Sequence, residues 1–308
     1  MYSSCRIALI TIVAFIWCLT FPGSPGAQPP AGKHTVRIAY TDWSSSVASA
    51  HLLKAVFLEK TGTKCKLMRM PVDDMWEAVA RGEADAMLSA WLPHTHAHYY
   101  NKYSGRQINL GPNLKGTRIG LVVPDITLGR LTAGTGIRNR PYIDVGSINE
   151  LKEKAGKFKN RIIGIEPEAG IMRRTRQAME VYDLEEDFRL AEGSEKSMVA
   201  ALSEAVRHQE WIVVTGWLPH WSFARWNLKF LDDPKNIYGP QGHISTIVRK
   251  DLEEEMPEAY RILDNFYWEP RDLGQLMLWI QENKGDEPYE TALRWIRANE
   301  KKVKEWLK

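Results

Sequence analysis

The chain is poor in cysteine, carries no block of like charge, and has no apolar run long enough to span a membrane. Its three cysteines are Cys5, Cys18 and Cys65. The first two lie in an N-terminal segment that reads as removable, so Cys65 would stand alone and no intramolecular disulfide is available. Lys and Arg number 41 against 38 Asp and Glu, a net charge of +3 without a basic cluster or acidic tail. That balance excludes a polyanion-binding surface, and no nucleic-acid partner is expected. The longest mostly apolar run, Ile7 to Phe21, has 15 residues, short of the roughly 20 a membrane span needs. Hydrolase signatures are missing too: there is no Gly-x-Ser-x-Gly elbow, Cys65 has no neighbouring histidine, and no carboxylate pair marks a loop.

The N-terminal segment has a character of its own. Arg6 precedes the apolar run, and Pro22-Gly-Ser-Pro-Gly-Ala27 breaks it. This is the pattern of a secretory signal peptide over residues 1–27. Cys18 follows Phe15-Ile-Trp17, too bulky for a lipoprotein acylation site, so the reading is a free exported protein in the periplasm.

The rest of the 308 residues can bury the cores of two lobes. Val36 to Tyr40 alternates as a strand, Thr41 to Ser46 supplies helix-capping residues, Lys64 to Met70 is a second strand and Asp73 to Arg81 a helix. Ala84 to Ala90 is a third strand, leading into Trp91-Leu-Pro-His94. The order returns later: strand Arg161 to Ile165, turn Glu166 to Ile171, helix Met172 to Tyr182, strand Phe188 to Ala191 and helix Lys196 to Arg207. Strand Trp211 to Gly216 then leads into Trp217-Leu-Pro-His220. Two βαβαβ units imply an α/β chain of two lobes, each an open sheet. Leu121 to Pro124 and Ile244 to Arg249 read as the two hinge-crossing strands. The first lobe is then 34–122 with 244–308, and the second 123–243. The stretch from Thr127 to Gly146 reads as a mobile surface loop, and the tail from Met256 as helices packed on the first lobe.

Open α/β sheets bind ligands beyond the C-terminal ends of their strands. Trp43, Trp91 and Trp217 all fall there, in loops just after strands. Trp76, Trp226, Trp268, Trp279, Trp295 and Trp306 fall on helical or tail segments and read as packing residues; Trp211 reads as core, and Trp221 is left open. An indole-walled pocket without a carboxylate suits a methylated cation. Three cation–π contacts supply at most roughly 6 kcal/mol, whereas micromolar binding needs about 8. A second handle is therefore required, and the turn at Gly170 and Ile171 offers backbone N–H groups at a helix N-terminus, an anion site. A trimethylammonium in the cage with a carboxylate on that turn describes a betaine. His96 reads as a side-chain donor to the carboxylate, and His220 as part of a capped turn after Pro219. An alternative gives His94, His96 and His98 to a zinc ion, though nearby cysteine and carboxylate partners are lacking.

At these residues the chain resembles the glycine betaine binding proteins of osmoprotectant ABC importers. The resemblance covers about residues 35–307. It rests on Tyr40-Thr-Asp-Trp43-Ser, Ser89-Ala-Trp91-Leu-Pro-His-Thr-His96, Gly164-Ile-Glu-Pro-Glu-Ala-Gly170-Ile171-Met172, Thr215-Gly-Trp217-Leu-Pro-His-Trp221 and Leu231-Asp-Asp-Pro-Lys235. It implies a type II-like periplasmic binding protein fold, a prism of Trp43, Trp91 and Trp217 around a quaternary ammonium, and Gly170, Ile171 and His96 on the carboxylate. It also implies a receptor that is not an enzyme, needs no cofactor or bound metal, works as a monomer and hands its ligand to a membrane permease. Choline, carnitine or a sulfonium analogue are alternative ligands. The turn departs from the family's usual Asp-Pro-Gly at Glu166 and Glu168. A negative charge at Glu168 either weakens carboxylate binding or points outward.

Overall fold

The computed structural model describes residues 35–126, 141–283 and 287–308. The proposed signal segment lies outside them. The first unit forms as expected: β1 (Val36–Tyr40), α1 (Ser44–Val56), β2 (Cys65–Arg69), α2 (Val72–Ala80) and β3 (Ala86–Leu92), with β1 paired in parallel to both β2 and β3. After the short helix α3 (Ala97–Lys102) comes the long strand β4 (Gln107–Pro124). The second unit repeats the first: β5 (Arg161–Ile163), α4 (Gly170–Val181), β6 (Arg189–Ala191), α5 (Glu195–His208) and β7 (Val213–Leu218), with β5 parallel to β6 and β7. Then follow α6 (Ser222–Arg225), β8 (Leu228–Phe230) and β9 (Gly242–Arg249), and the helical tail: α7 (Leu252–Glu255), α8 (Pro257–Asn265), α9 (Pro270–Glu282), α10 (Pro288–Ala298) and α11 (Glu300–Trp306).

The strands run β2-β1-β3-β9-β4-β7-β5-β6, with β8 beside β4. Two parallel trios, each with its first strand in the middle, are thus joined by the antiparallel pair β9 and β4, which makes a two-lobed α/β chain. Strand β4 serves both trios. Its residues Gln107 to Thr117 pair with β9 and Arg118 to Val122 with β7. The expected strand at Leu121 to Pro124 is the end of this element. Its earlier part escapes a search for alternation because the register slips three times, at Asn109/Gly111, Pro112/Leu114 and Lys115/Thr117. Gly111 and Gly116 there take φ of 98° and 84°, values that a side chain disfavours.

Two placements differ from expectation. Trp91 and Trp217 are not in loops: each is the penultimate residue of a strand, β3 and β7. The antiparallel neighbours carry the ladder onward, Trp91 opposite Ile244 and Trp217 opposite Ile119, past the point where the parallel trio ends. The second concerns the expected surface loop. Residues 127–140 lie outside the described ones, but Ile143 and Val145 are fully buried, so the end of that stretch is anchored in the core.

The core follows the burial of the central strands. All seven residues of β3 are buried, as expected for a strand covered on both faces. In the tail, Trp268, Trp295 and Trp306 are fully buried, and Trp295 stacks on Trp306 at 6.1 Å. Helices α9 and α10 lie against α1, and the Trp268 N–H donates to the Asn113 carbonyl of β4 (3.0 Å). Asp85, 1% exposed, accepts from Arg37 of β1 (2.7 Å) and Arg249 of β9 (2.7 Å). Burial pushes this carboxyl up, but the two guanidinium groups outweigh it and hold it below the usual carboxylate range. Among the described residues no helix is long and apolar enough to cross a membrane.

Candidate functional site

The last residues of β3 and β7 and the N-termini of α1 and α4 converge on one cavity. All six residues singled out in the sequence line it: Trp43, Trp91, His96, Gly170, Ile171 and Trp217. The three indoles are 5–8% exposed. Trp43 precedes the first turn of α1, and its Nε1–H donates to Glu166 Oε2 (3.3 Å) in the other lobe. Glu166 therefore anchors an indole. Burial pushes its carboxyl up. Glu168 is exposed, and its backbone carbonyl accepts from Tyr99 Oη (3.2 Å). Of the two readings for Glu168, outward placement is the one observed.

His96 is 1% exposed. Its backbone N–H donates to the Trp91 carbonyl (2.8 Å), and the Trp91 N–H donates to His96 Nδ1 (3.2 Å), closing the turn from Trp91 to His96 twice. Burial pushes the ring down to about 3, with His98 and Arg173 adding to the effect. The ring is neutral, and because Nδ1 accepts, its proton sits on Nε2, where it can be donated. Trp76 backs it edge-on at 5.9 Å and stacks on Tyr99.

In the same cavity wall, α4 begins with no side-chain cap and no acidic residue in its first turn. The backbone N–H groups of Gly170 and Ile171 have no acceptor among the described residues, which leaves the positive end of the helix for an anion. Glycine is required at 170 because a Cβ there would sit 2.3 Å from the Thr95 carbonyl oxygen of the other lobe. Of the cavity-lining residues none is ionised: besides the indoles, neutral His96 and the α4 turn there are Ser45, Thr95, Ile119, Ile165 and Ala169.

Over residues 34–298 the chain matches the model of the substrate binding domain of the ABC-type glycine betaine transport system. The chain belongs to that family. A segment of 156 residues is 44% identical to a glycine betaine/carnitine transport binding protein of Listeria monocytogenes, spanning 50% of this chain and 51% of that one. The chain thus spans about half the length of this curated relative. Lactococcal OpuAC, solved closed with glycine betaine, is 39% identical with a TM-score of 0.78, covering 89% of this chain and 99% of that chain. The glycine/betaine/L-proline-binding protein of Borrelia burgdorferi is 35% identical with a TM-score of 0.81, over 89% and 97%.

The zinc alternative finds no support in this member of the family. His96 gives Nδ1 to its own turn, the His98 ring packs on Tyr99 at 3.7 Å, and His94 lies against Gly239. Among the described residues no three His, Cys, Asp or Glu side chains form a group that could hold a metal. Cys65 is buried, and burial pushes its thiol up to about 12. Reasoning from sequence missed the lining residues Ser45, Thr95, Ile119, Ile165 and Ala169, which carry no distinctive residue type.

It also missed a second contact between the lobes. Glu195, the first residue of α5, accepts from the Ser44 backbone N–H (2.9 Å) and from Ser44 Oγ, and meets His220 Nε2 at 3.0 Å. His220 Nδ1 accepts from the Ser222 N–H (3.1 Å), so the expected capped turn is present. Trp221, left open above, donates its Nε1–H to Ser44 Oγ (3.1 Å).

Proposed function

We propose that the protein is an exported receptor that closes around glycine betaine or a related quaternary ammonium carboxylate and delivers it to the membrane permease of an ABC importer. One observation carries this reading. The cavity is lined by three indoles, the uncapped α4 N-terminus and a neutral histidine donor, with no ionised lining side chain. Burying a net charge there would be costly. A zwitterion brings its own counter-charge, its methylated cation facing Trp43, Trp91 and Trp217 and its carboxylate taking the Gly170 and Ile171 N–H groups and His96 Nε2. The ligand touches both lobes, so its contacts favour the closed arrangement.

In the same reading residues 1–27 are a cleaved signal peptide, the mature protein is periplasmic and monomeric, and it performs no catalysis. The lobes, 34–122 with 244–308 and 123–243, swing about the two connections that join them, along β4, which changes partner between Thr117 and Arg118, and at the start of β9. Carnitine is a second ligand to test, because the Listeria relative is a glycine betaine/carnitine binding protein. Calorimetric titration of the mature, ligand-stripped protein tests the proposal. Micromolar binding of glycine betaine with weak choline binding is expected, since choline lacks the carboxylate; equal binding of the two would remove the anion half of the site, and silence towards all three ligands would sink the reading.

A further inference from the structure

Helix α1 starts without a cap of its own: Trp43 at the N-cap makes no side-chain hydrogen bond to the helix's first turn, which holds no acidic residue. Thirteen residues of helix thus present an unsatisfied positive end. The missing acceptor comes from the other lobe. The carboxylate of Glu195, 6% exposed, takes the Ser44 N–H and the Ser44 hydroxyl. That same carboxylate belongs to the first turn of α5 and holds His220, whose ring stands edge-on to Trp217 at 4.8 Å. One side chain therefore joins the residue after the cage wall Trp43 to the residue that supports the cage wall Trp217.

We infer that Glu195 is a positioning residue for closure: it caps α1 in trans when the lobes come together, and so sets the affinity and residence time of the ligand without touching it. The asymmetry of its partners makes this work. His220 lies in the same lobe as Glu195 and keeps the carboxylate partnered when the lobes part, so the open receptor remains folded. Ser44 lies across the cleft and is reached only on closing. Trp221 adds a second link, its indole stacked on His220 at 5.5 Å while its Nε1–H reaches Ser44 Oγ. Because the contact is independent of the ligand's chemistry, it stabilises every closed complex alike.

The inference rests on the receptor reading above, and the test separates the two. Glycine betaine and choline are titrated against wild type, Glu195→Ala, Ser44→Ala and the double variant, and dissociation rates are measured by stopped flow. A hydrogen bond to a buried carboxylate implies roughly tenfold weaker binding in each single variant, appearing as faster release with unchanged association. The loss should be equal for both ligands, and because the two variants share the Ser44 hydroxyl contact, the double variant should lose less than the sum of the singles. Ser44→Ala should leave the melting temperature of the unliganded protein unchanged, which a merely structural role would not. If Glu195→Ala fails to fold, Glu195→Gln, which keeps one acceptor oxygen, replaces it and should bind between wild type and Ser44→Ala. Wild-type binding with unaltered variants, additive losses in the double variant, or a loss confined to one ligand would overturn this inference alone. A wild type silent to every ligand would overturn the receptor reading and this inference with it.

Discussion

The tetrapeptide Trp-Leu-Pro-His occurs twice, at Trp91 to His94 and at Trp217 to His220, at matching corners of the two lobes. The backbones agree: each tryptophan is penultimate in its strand and each Leu-Pro bond is cis. The histidines do not. His220 is buried against Glu195 and stays behind the cage wall, whereas His94 is half-buried beside Gly239, its carbonyl accepting from Arg174 (3.2 Å). The first corner instead sends His96, two residues further on, into the cavity. A repeated motif thus fixes where a tryptophan stands, and its surroundings decide what the histidine does.

Replacing each histidine is the strongest way to break that comparison. His220→Ala leaves a buried carboxylate with one partner fewer and should cost about 3 kcal/mol of stability, while His94→Ala should stay within about 0.5 kcal/mol; thermal denaturation of the unliganded proteins reads both. Equal losses would mean that the corners are equivalent after all.

The tryptophans should behave alike. Trp91→Ala and Trp217→Ala are each expected to weaken glycine betaine binding by about 1 to 2 kcal/mol, roughly tenfold. If calorimetry finds both variants as tight as wild type, the cage assignment is wrong; a loss in only one would break the symmetry of the prism. Gly170→Ala sharpens the contrast further, because its Cβ would collide with the carbonyl of Thr95 in the first corner alone. Its affinity should fall at least as far as that of the tryptophan variants, with the unliganded melting temperature unchanged, since the clash exists only when the lobes are closed.

The smallest effect concerns pH. With His96 held down to about 3, its protonation cannot drive binding, so affinity should be flat between pH 5 and 8; a fall in affinity as pH rises through 6 to 7 would show a cationic ring. Stability behaves differently. The unfolded chain protonates His96 near 6.5 and the folded chain only near 3, so the full contribution is present above 6.5. It is lost as pH falls through that window, by up to about 1.4 kcal/mol per pH unit. His51 and His98, held down to about 4 by burial, add smaller terms of the same sign because water screens them. Urea unfolding at pH 7 and pH 5 measures the sum.

Much of this was legible in the residues. Alternation and helical spacing placed the β1 to β3 and β5 to β7 units, because central strands and amphipathic helices write their burial into the order of apolar residues. Tryptophan and histidine were legible as candidate site residues because they are scarce and chemically distinctive, and Gly170 because it opens a helix. Ser45, Thr95 and Ile165 line the same cavity but look like any other loop or helix residue. The first half of β4 was hidden by its three register shifts, which destroy the period of two on which strand recognition depends.

The sequence by itself determined two repeated α/β units, the tryptophan positions and the kind of ligand that three indoles and a bare helix end can hold, since each of these depends on local pattern and residue type. The tertiary structure alone decided that β4 belongs to both lobes, that His96 is neutral with its proton on Nε2, that Glu166 holds Trp43, and that Glu195 caps a helix 151 residues away in sequence at Ser44. These depend on which groups meet across the cleft and how little water reaches them, and hydrogen bonding and burial between distant segments leave no periodic trace in a chain.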